Sequence, residues 1–201
     1  MVEMNIDIRA LSFALIDDYM DFFDNIAFSD HKEWSECYCV HFHWDSTLEA
    51  QSKLSGGEKR GRDYAIEFIR GGVIQGYLAY RNDTVVGWCN ANDKTGFRRL
   101  VERRELWDDA DYDAKAKAVV CFITAPNTRG RGIATKLLDR VCKDAAADGY
   151  EYIEAYPRRG EADIFINHHG PYALYEKFGF ALHKDTEHDS VVRKYLQEGL
   201  Q

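Results

Sequence analysis

The chain has 201 residues, of which 45% are hydrophobic and 13% aromatic, a composition typical of one folded domain and not of a disordered segment. Its net charge of −8 argues against a nucleic-acid ligand, because binding to phosphates needs a cationic surface. No apolar run approaches the roughly 20 residues of a membrane span, and the first nine residues lack the apolar stretch of a secretion signal. The odd number of cysteines, five, favours reduced thiols over a disulfide framework. We therefore expect a cytoplasmic protein with no nucleic-acid or membrane partner.

The N-terminal part of the chain combines one strand with helices. Alternating apolar residues predict a strand over Asn5–Ala10, and apolar residues at helical spacing predict a helix that begins after Ser12. The further elements predicted before residue 75 are an extended segment (Cys37–Trp44), a helix opened by a Ser46/Glu49 capping box, a loop (Gly56–Arg62) and a helix (Asp63–Arg70).

The rest of the chain alternates strands and helices. Asn82–Asp83 lies between two β-rich runs and predicts a hairpin turn, whereas the strongly charged Phe97–Lys117 predicts a mobile connection with a short helix. The order of elements predicts one α/β domain with a mixed central sheet of about six to seven strands flanked by helices. The predicted elements are two hairpin strands (Gly76–Arg81, Thr84–Asn90), an apolar central strand (Ala118–Thr124), a helix (Ile133–Ala147), a strand (Tyr150–Tyr156), a helix (Pro171–Phe178) and a closing strand pair (Phe180–Thr186, Ser190–Leu196).

The most informative segment joins the central strand to the next helix. It reads Arg-Gly-Arg-Gly-Ile-Ala over residues 129–134, so two glycines and two arginines stand at a helix N-terminus, where unpaired N–H groups favour an anion. The spacing matches neither the Walker-type phosphate loop nor the dinucleotide-binding fingerprint, which would need a third glycine at Thr135. By themselves these residues predict either a phosphate ligand or a plain turn with two solvated arginines.

Two motifs resemble those of one known family. Arg129-x-x-Gly132-x-Ala134 is similar to the Gln/Arg-x-x-Gly-x-Gly/Ala signature of the Gcn5-related N-acetyltransferases (GNAT), and Leu174–Phe180 (LYEKFGF) is similar to their C-terminal motif. The resemblance implies a single-domain GNAT fold over residues 1–201 that transfers an acetyl group from acetyl-CoA to the primary amine of a small molecule. A non-catalytic GNAT-fold sensor or scaffold that binds coenzyme A is the alternative. Family members often dimerise, so a monomer or a homodimer is expected.

The same resemblance implies which residues bind the coenzyme. The strand would contact the pantetheine arm and the turn the pyrophosphate, while the family commonly has an asparagine where this chain has His168, next to Asn167. In this view residues 118–156 bind the coenzyme, residues 1–70 line the acceptor pocket and residues 171–196 form the C-terminal helix and strand pair. The implied coenzyme contacts are Phe122, Ile123, Thr124, Arg129, Gly130, Arg131, Gly132, Ile133, Ala134, Thr135, Asn167 and His168.

Tyr175 and Glu154 are the candidate catalytic residues. The resemblance implies that Tyr175 protonates the departing thiolate, although a purely structural tyrosine is the alternative. Alternation along the strand puts Tyr152, Glu154 and Tyr156 on one face, so that Glu154 is either a general base for the amine or a surface carboxylate.

The segment with alternating cysteines and histidines is unusual. If it is extended, Cys37, Cys39, His41 and His43 share one face, and thiolates with imidazoles are zinc ligands. Alternate residues on one strand lie about 6.5–7 Å apart, however, so four of them cannot meet around one ion with ligand bonds of about 2.0–2.3 Å. We therefore predict no metal site and expect either part of the pocket wall or ordinary packing. A cysteine-linked acetyl intermediate is disfavoured, because the family transfers directly.

Overall fold

The computed structural model describes residues 5–54, 61–158, 166–186 and 189–196, and these form a mixed seven-stranded sheet with the order β1-β2-β3-β4-β5-β7-β6. Strands β4 and β5 are parallel, and every other neighbouring pair is antiparallel. The predicted mixed α/β sheet is therefore confirmed. The strands are β1 (Asp7–Ala10), β2 (Gly76–Arg81), β3 (Thr84–Asp93), β4 (Ala116–Thr124), β5 (Tyr152–Ala155), β6 (Ala181–Asp185) and β7 (Ser190–Tyr195).

Helices flank this sheet. The longest, α5, buries an apolar stripe that includes Leu137, Leu138 and Val141, as the sequence periodicity predicts. It packs closely on β3, where a Cβ at Gly87 would lie 2.7 Å from the Ile133 side chain. No helix of the described residues is long and apolar enough to cross a membrane. The α-helices are α1 (Ile16–Asp21), α2 (Ser46–Leu54), α3 (Gly61–Arg70), α4 (Arg98–Glu102), α5 (Ile133–Ala147) and α6 (Tyr172–Glu176).

Local turn chemistry explains several element boundaries. Asn82 and Asp83 have φ of 48° and 61° and form the predicted β2–β3 hairpin turn. The capping box predicted for α2 is wrong, because the Leu48 N–H donates to the Asp45 carboxylate at 2.7 Å and Asp45 is the N-cap. The predicted loop Gly56–Arg62 lies mostly outside the described residues, and its last two residues begin α3.

The connection between β3 and β4 contains the predicted short helix, α4, but it packs on the core, so the prediction that it is mobile is wrong. Its charged residues alternate with apolar ones that are buried in the core, namely Leu100, Leu106 and Trp107. The Trp107 indole N–H donates to the Leu100 carbonyl at 2.6 Å and closes the connection on itself. The prediction of a mobile connection was based on the high charge content of this segment and overlooked the few apolar residues that its short helical turns contribute to the core.

Residues 37–44 are not a strand, so the prediction of an extended segment at Cys37–Trp44 is wrong. Cys39 has a φ of +52°, and a 3-10 turn follows at His41–His43. A left-handed residue and a tight turn break the alternation on which the prediction depended, so the two cysteines and two histidines do not share one strand face.

Candidate functional site

The sheet opens into a fork between β4 and β5. Their parallel pairing ends at Val119 and Ala155, where β5 ends, while β4 continues to Thr124 with β3 on its other edge. A 3-10 turn at Ile166–His169 lies against this part of β4 in place of a strand. The backbone edge of β4 beyond the fork is thus positioned to hydrogen-bond an extended ligand.

The turn that follows β4 leads into the N-terminus of α5. Gly130 and Gly132 have φ of +72° and +80°, a backbone conformation that other residues rarely adopt. Gly132 is the N-cap and supplies no side chain to the first N–H groups of α5, whose first turn also has no acidic residue. These N–H groups remain available to an anion, and the helix dipole favours one there.

Arg129 is the half-buried cation of this turn. Its guanidinium forms a two-point ion pair with Asp30, with Nη2–Oδ1 at 3.2 Å and a closer Nη1–Oδ2 contact. The hydrogen bond from Arg129 holds the pKa of Asp30 below its usual value. Arg131 is exposed beside it. The turn therefore offers two guanidinium groups, one of them already held next to the chain segment before α2.

A cavity of about 690 Å³ extends from this turn along β4 to the N-terminal segment. Its wall is predominantly apolar. The cavity joins the anion-binding turn, the open edge of β4 and a cluster of aromatic side chains within one space, as expected of a ligand site. It is lined on one side by Cys121, Phe122, Ile123, Thr124, Arg129 and Ala134, on the other by Phe28, Trp34, Cys39, His41, Phe42 and Trp44, and at its end by His168, Gly170 and Pro171.

The sequence model of the acetyltransferase (GNAT) family matches residues 17–180. The chain belongs to the acetyltransferase (GNAT) family. The match includes the fork, the turn and the C-terminal motif, so the predicted resemblance is confirmed.

Solved structures share the GNAT fold with this chain. The PaiA N-acetyltransferase of Thermoplasma acidophilum, solved with coenzyme A, is 14% identical with a TM-score of 0.55, and the match covers 96% of this chain and 99% of that one. The mosquito arylalkylamine N-acetyltransferase-like 5b is 12% identical with a TM-score of 0.57 and coverage of 96% and 100%. The yncA protein of Salmonella typhimurium, solved with acetyl-CoA, is 15% identical with a TM-score of 0.50 and coverage of 98% and 96%. No match was found among curated proteins.

The residues that the GNAT resemblance implies for the coenzyme fall into two groups. Six of them line the cavity: Phe122, Ile123, Thr124, Arg129, Ala134 and His168. The others form the turn and the start of α5 beside Arg129: Gly130, Arg131, Gly132, Ile133 and Thr135. Asn167 lies in the turn next to His168, and its side chain is outside the described residues.

Tyr175 is fully buried at the edge of the cavity and is not part of its lining. Its hydroxyl donates to the His169 carbonyl at 2.5 Å, and burial raises the pKa of the phenol well above its usual value. Gly170 and Phe122 stand between this hydroxyl and the cavity. A Cβ at Gly170 would lie 3.1 Å from the Tyr175 oxygen, so the glycine leaves this gap unfilled.

Glu154 lies in a buried ion-pair network and does not line the cavity. Its carboxylate accepts from Arg193 Nε at 2.5 Å, lies 2.9 Å from Lys94 Nζ and accepts from the Tyr156 hydroxyl at 2.6 Å. The alternation in the sequence predicted that Glu154 shares a strand face with Tyr152 and Tyr156, but it did not predict the buried ion pairs. Because two cations and a phenol already hold the carboxylate away from the cavity, the interpretation of Glu154 as general base is replaced by a structural one.

Two thiols meet inside the cavity wall. The Cys39 thiol donates to Cys121 Sγ at 3.4 Å. This contact and burial raise the pKa of Cys39 well above its usual value. The same contact lowers the pKa of Cys121, but burial together with the nearby Cys37 and Cys89 thiols outweighs it, and the net pKa is raised. Both thiols are therefore protonated at neutral pH, which makes them poor nucleophiles. Within the described parts of the chain, no group of three or more His, Cys, Asp and Glu is arranged to hold a metal ion.

The histidines around the fork differ in their access to the cavity. His43 is completely buried, and burial lowers its pKa to about 4 against the effect of its hydrogen bond with Asn90. His169 is also buried, and burial with the nearby His168 lowers its pKa to about 3. His41, in contrast, is exposed and lines the cavity. The sequence left this segment as either pocket wall or ordinary packing, and the structure has both: His41 lines the cavity, whereas His43 packs in the core.

Proposed function

We propose that the protein is an N-acetyltransferase that transfers an acetyl group from acetyl-CoA to the primary amine of a small molecule. The observation that carries this proposal is the continuity of the cavity, which joins the anion-binding turn at Arg129 to the wall that contains His41. One space can thus receive both the coenzyme and the acceptor. The structures of the Thermoplasma acidophilum and Salmonella typhimurium proteins with coenzyme A and acetyl-CoA support the choice of donor.

The residues of this chain fit coenzyme A. Its pyrophosphate would bind the N–H groups after Gly132 and the guanidinium groups of Arg129 and Arg131. Its pantetheine arm would run along the open edge of β4 at Phe122 and Thr124, which both line the cavity. Asp30 holds Arg129 before the ligand arrives and keeps its guanidinium beside the turn.

Substitution of Gly132 tests the coenzyme part of the proposal. We expect Gly132→Ala to weaken coenzyme A binding about tenfold, because a side chain strains a φ of +80° by about 1–2 kcal/mol and tilts the N–H groups that hold the pyrophosphate. The measurement is the Kd by isothermal titration calorimetry. Gly72→Ala is the matched control, since Gly72 has a φ of +69° and does not line the cavity. An equal loss of affinity in both variants would count against the role of the turn.

The chemistry needs a carbonyl polariser and an acid for the leaving sulfur. Acetyl-CoA supplies the acetyl group as a thioester. A backbone N–H on the open edge of β4 would polarise the thioester carbonyl, and the Tyr175 hydroxyl would carry the proton that the departing sulfur needs. Gly170 lines the cavity and adjoins this hydroxyl, so the proton would pass beside this glycine.

The cavity wall favours an acceptor amine with an apolar tail. Phe28, Trp34, Phe42 and Trp44 surround the space with aromatic rings. Apolar surface stabilises an apolar tail. The two carboxylates of the lining, Glu33 and Glu36, are both exposed, so a further ammonium group buried among the rings would lose its hydration at a cost of several kcal/mol. We therefore expect a kcat/KM for 2-phenylethylamine at least about tenfold above that for spermidine.

A panel of amines tests this proposal. Thiol release from acetyl-CoA is measured with 2-phenylethylamine, hexylamine, spermidine, kanamycin and an alanyl peptide, and each acetylated product is identified by mass spectrometry. Transfer to at least one of these amines supports the proposal of an enzyme, and a preference for spermidine would contradict the expectation of an acceptor with an apolar tail.

The second candidate is a coenzyme A sensor or scaffold without turnover. It is favoured by the hydrogen bond that the Tyr175 hydroxyl already donates to the His169 carbonyl. Tight binding of coenzyme A without acetyl transfer to any amine of the panel would support the sensor or scaffold.

A further inference from the structure

Transfer of an acetyl group to an amine requires a group that accepts a proton. A primary alkylammonium has a pKa of about 10, so at neutral pH nearly every acceptor molecule enters the cavity protonated, without a free lone pair. The residue that removes this proton must line the cavity, must be unprotonated at neutral pH and must pass the proton on to solvent. Glu154 fails the first requirement, because it is buried in its ion pairs away from the lining.

Most ionisable side chains of the cavity wall fail as well. Cys39 and Cys121 are protonated at neutral pH, since the pKa of each thiol is raised. Glu33 is a carboxylate, a weaker base than an imidazole, and its hydrogen bond with His31 at 2.9 Å lowers its pKa further. Glu36 lines the cavity and is exposed, and a carboxylate is in general a weaker base than an imidazole. Cys37 and Tyr38 also line the cavity, and the pKa of each is raised, so both are protonated at neutral pH. The two cavity histidines remain, and of these His41 is exposed whereas His168 is half-buried.

His41 meets all three requirements. It begins the 3-10 turn before α2, lines the cavity and is exposed to solvent. Its ring contacts Phe42 edge-to-face with the centroids 5.7 Å apart, and Phe42 contacts His169 in the same way at 5.7 Å. His169 lies in the 3-10 turn at Ile166–His169, which packs against β4. These ring contacts connect His41 through Phe42 to the turn beside the fork.

Partial burial of the His41 ring, together with the charges around it, favours the neutral imidazole. Three groups face it: Arg99 on α4, Glu49 on α2 and His168 beside the fork. Burial and the Arg99 guanidinium lower the pKa of His41 below its usual value of 6.5, Glu49 opposes them, and His168 lowers it further. Arg99 is itself paired with Glu49 at 3.0 Å, so the cation stays in place.

We infer that His41 is the general base that takes the proton from the acceptor amine. The inference rests on the proposed function. An N–H bond of the ammonium breaks, an N–H bond forms on the His41 imidazole, and the freed lone pair of the amine is available to form the bond to the acetyl carbon. The proton then passes to solvent, to which the ring is exposed.

The pH profile of His41→Gln tests the inference. With 2-phenylethylamine and acetyl-CoA at saturation, the kcat of the wild type should be nearly constant from about pH 6.5 upward, since its base is already neutral. The kcat of His41→Gln should be about 1000-fold lower at pH 7 and should rise about tenfold per pH unit, because only the free amine, about one molecule in a thousand at pH 7, then reacts. The two profiles should converge within about threefold near pH 10, where the amine loses its proton without help.

His183→Gln is the matched control. His183 is paired with Asp108 at 2.6 Å on β6 and does not line the cavity, so its profile should follow the wild type. A His41→Gln profile that lies parallel to the wild type, at any height, would show a structural role and overturn the inference while the proposed function stands. A wild-type kcat that rises tenfold per unit across this range would overturn it without any variant. Absence of transfer to every amine of the panel would overturn both.

Discussion

Replacement of Lys94 by methionine is expected to lower the free energy of unfolding by about 3–5 kcal/mol. The Lys94 side chain is 1% exposed, and its ammonium lies 2.7 Å from an oxygen of Asp111 and 2.9 Å from one of Glu154. Arg193 pairs with the same two carboxylates at 2.6 and 2.5 Å. Loss of Lys94 leaves two buried carboxylates with one cation, and a buried charge without compensation is strongly unfavourable.

Urea unfolding followed by circular dichroism measures this effect. Lys143→Met is the matched control, because Lys143 pairs with Asp139 on the surface with its side chain 70% exposed, and such pairs contribute about 0–1 kcal/mol. The double variant Lys94→Met/Glu154→Gln should be more stable than Lys94→Met, since Arg193 then faces one carboxylate. Equal stability of the Lys94 and Lys143 variants would contradict the network.

The effect of Lys94 should also depend on pH. Burial would raise the pKa of Asp111, but Lys94, the Asp108 N–H and the Tyr152 hydroxyl together hold it well below its usual range. A carboxylate with a lowered pKa contributes stability that is present above its unfolded pKa of about 3.9 and is lost as the pH falls toward the folded value. The difference between wild type and Lys94→Met should therefore be full at neutral pH and should narrow below about pH 4.

Tyr175→Phe is expected to lower kcat about 100-fold with little change in the KM for acetyl-CoA. The substitution removes only the hydroxyl that we propose as the proton donor to the sulfur, and the ring keeps its contact with Phe180. The hydroxyl also donates to the His169 carbonyl, so a loss of about 1 kcal/mol of stability should accompany the change. The measurements are steady-state thiol release and thermal unfolding.

The control separates catalysis from packing. Tyr172 lies one turn earlier on α6 and is half-buried, so Tyr172→Phe removes a hydroxyl from the same helix without touching the proposed donor. It should retain nearly the full kcat. If Tyr175→Phe keeps more than half of the wild-type kcat, Tyr175 is structural and another donor must serve the sulfur.

The buried network also explains why the β3–β4 connection is ordered. Lys94 comes from its start, Asp111 from its middle, Glu154 from β5 and Arg193 from β7. The ion pairs therefore fasten this connection to one face of the sheet. Glu154, which the sequence offered as a catalytic base, thus joins β5 to β7 and to the β3–β4 connection.

The sequence by itself determined the parts of this protein that depend on local geometry. Two glycines between an apolar strand and a helix permit a turn with left-handed residues, and the structure has positive φ at Gly130 and Gly132. Asn82 and Asp83 formed their hairpin turn for the same reason. The motif at residues 129–134 also allowed the family to be recognised, because a phosphate-binding turn is formed by residues that are neighbours in sequence.

Only the tertiary structure decided the roles of side chains whose partners are distant in sequence. Alternation put Glu154 on the correct face, but its environment depends on Lys94 and Arg193, which are 60 and 39 positions away, and no local pattern predicts such a meeting. Likewise, alternation at residues 37–43 predicted a strand, whereas the burial of His43 and the exposure of His41 follow from how the turn packs on the sheet. Burial and charge set what an ionisable group can do, and both are properties of the folded chain.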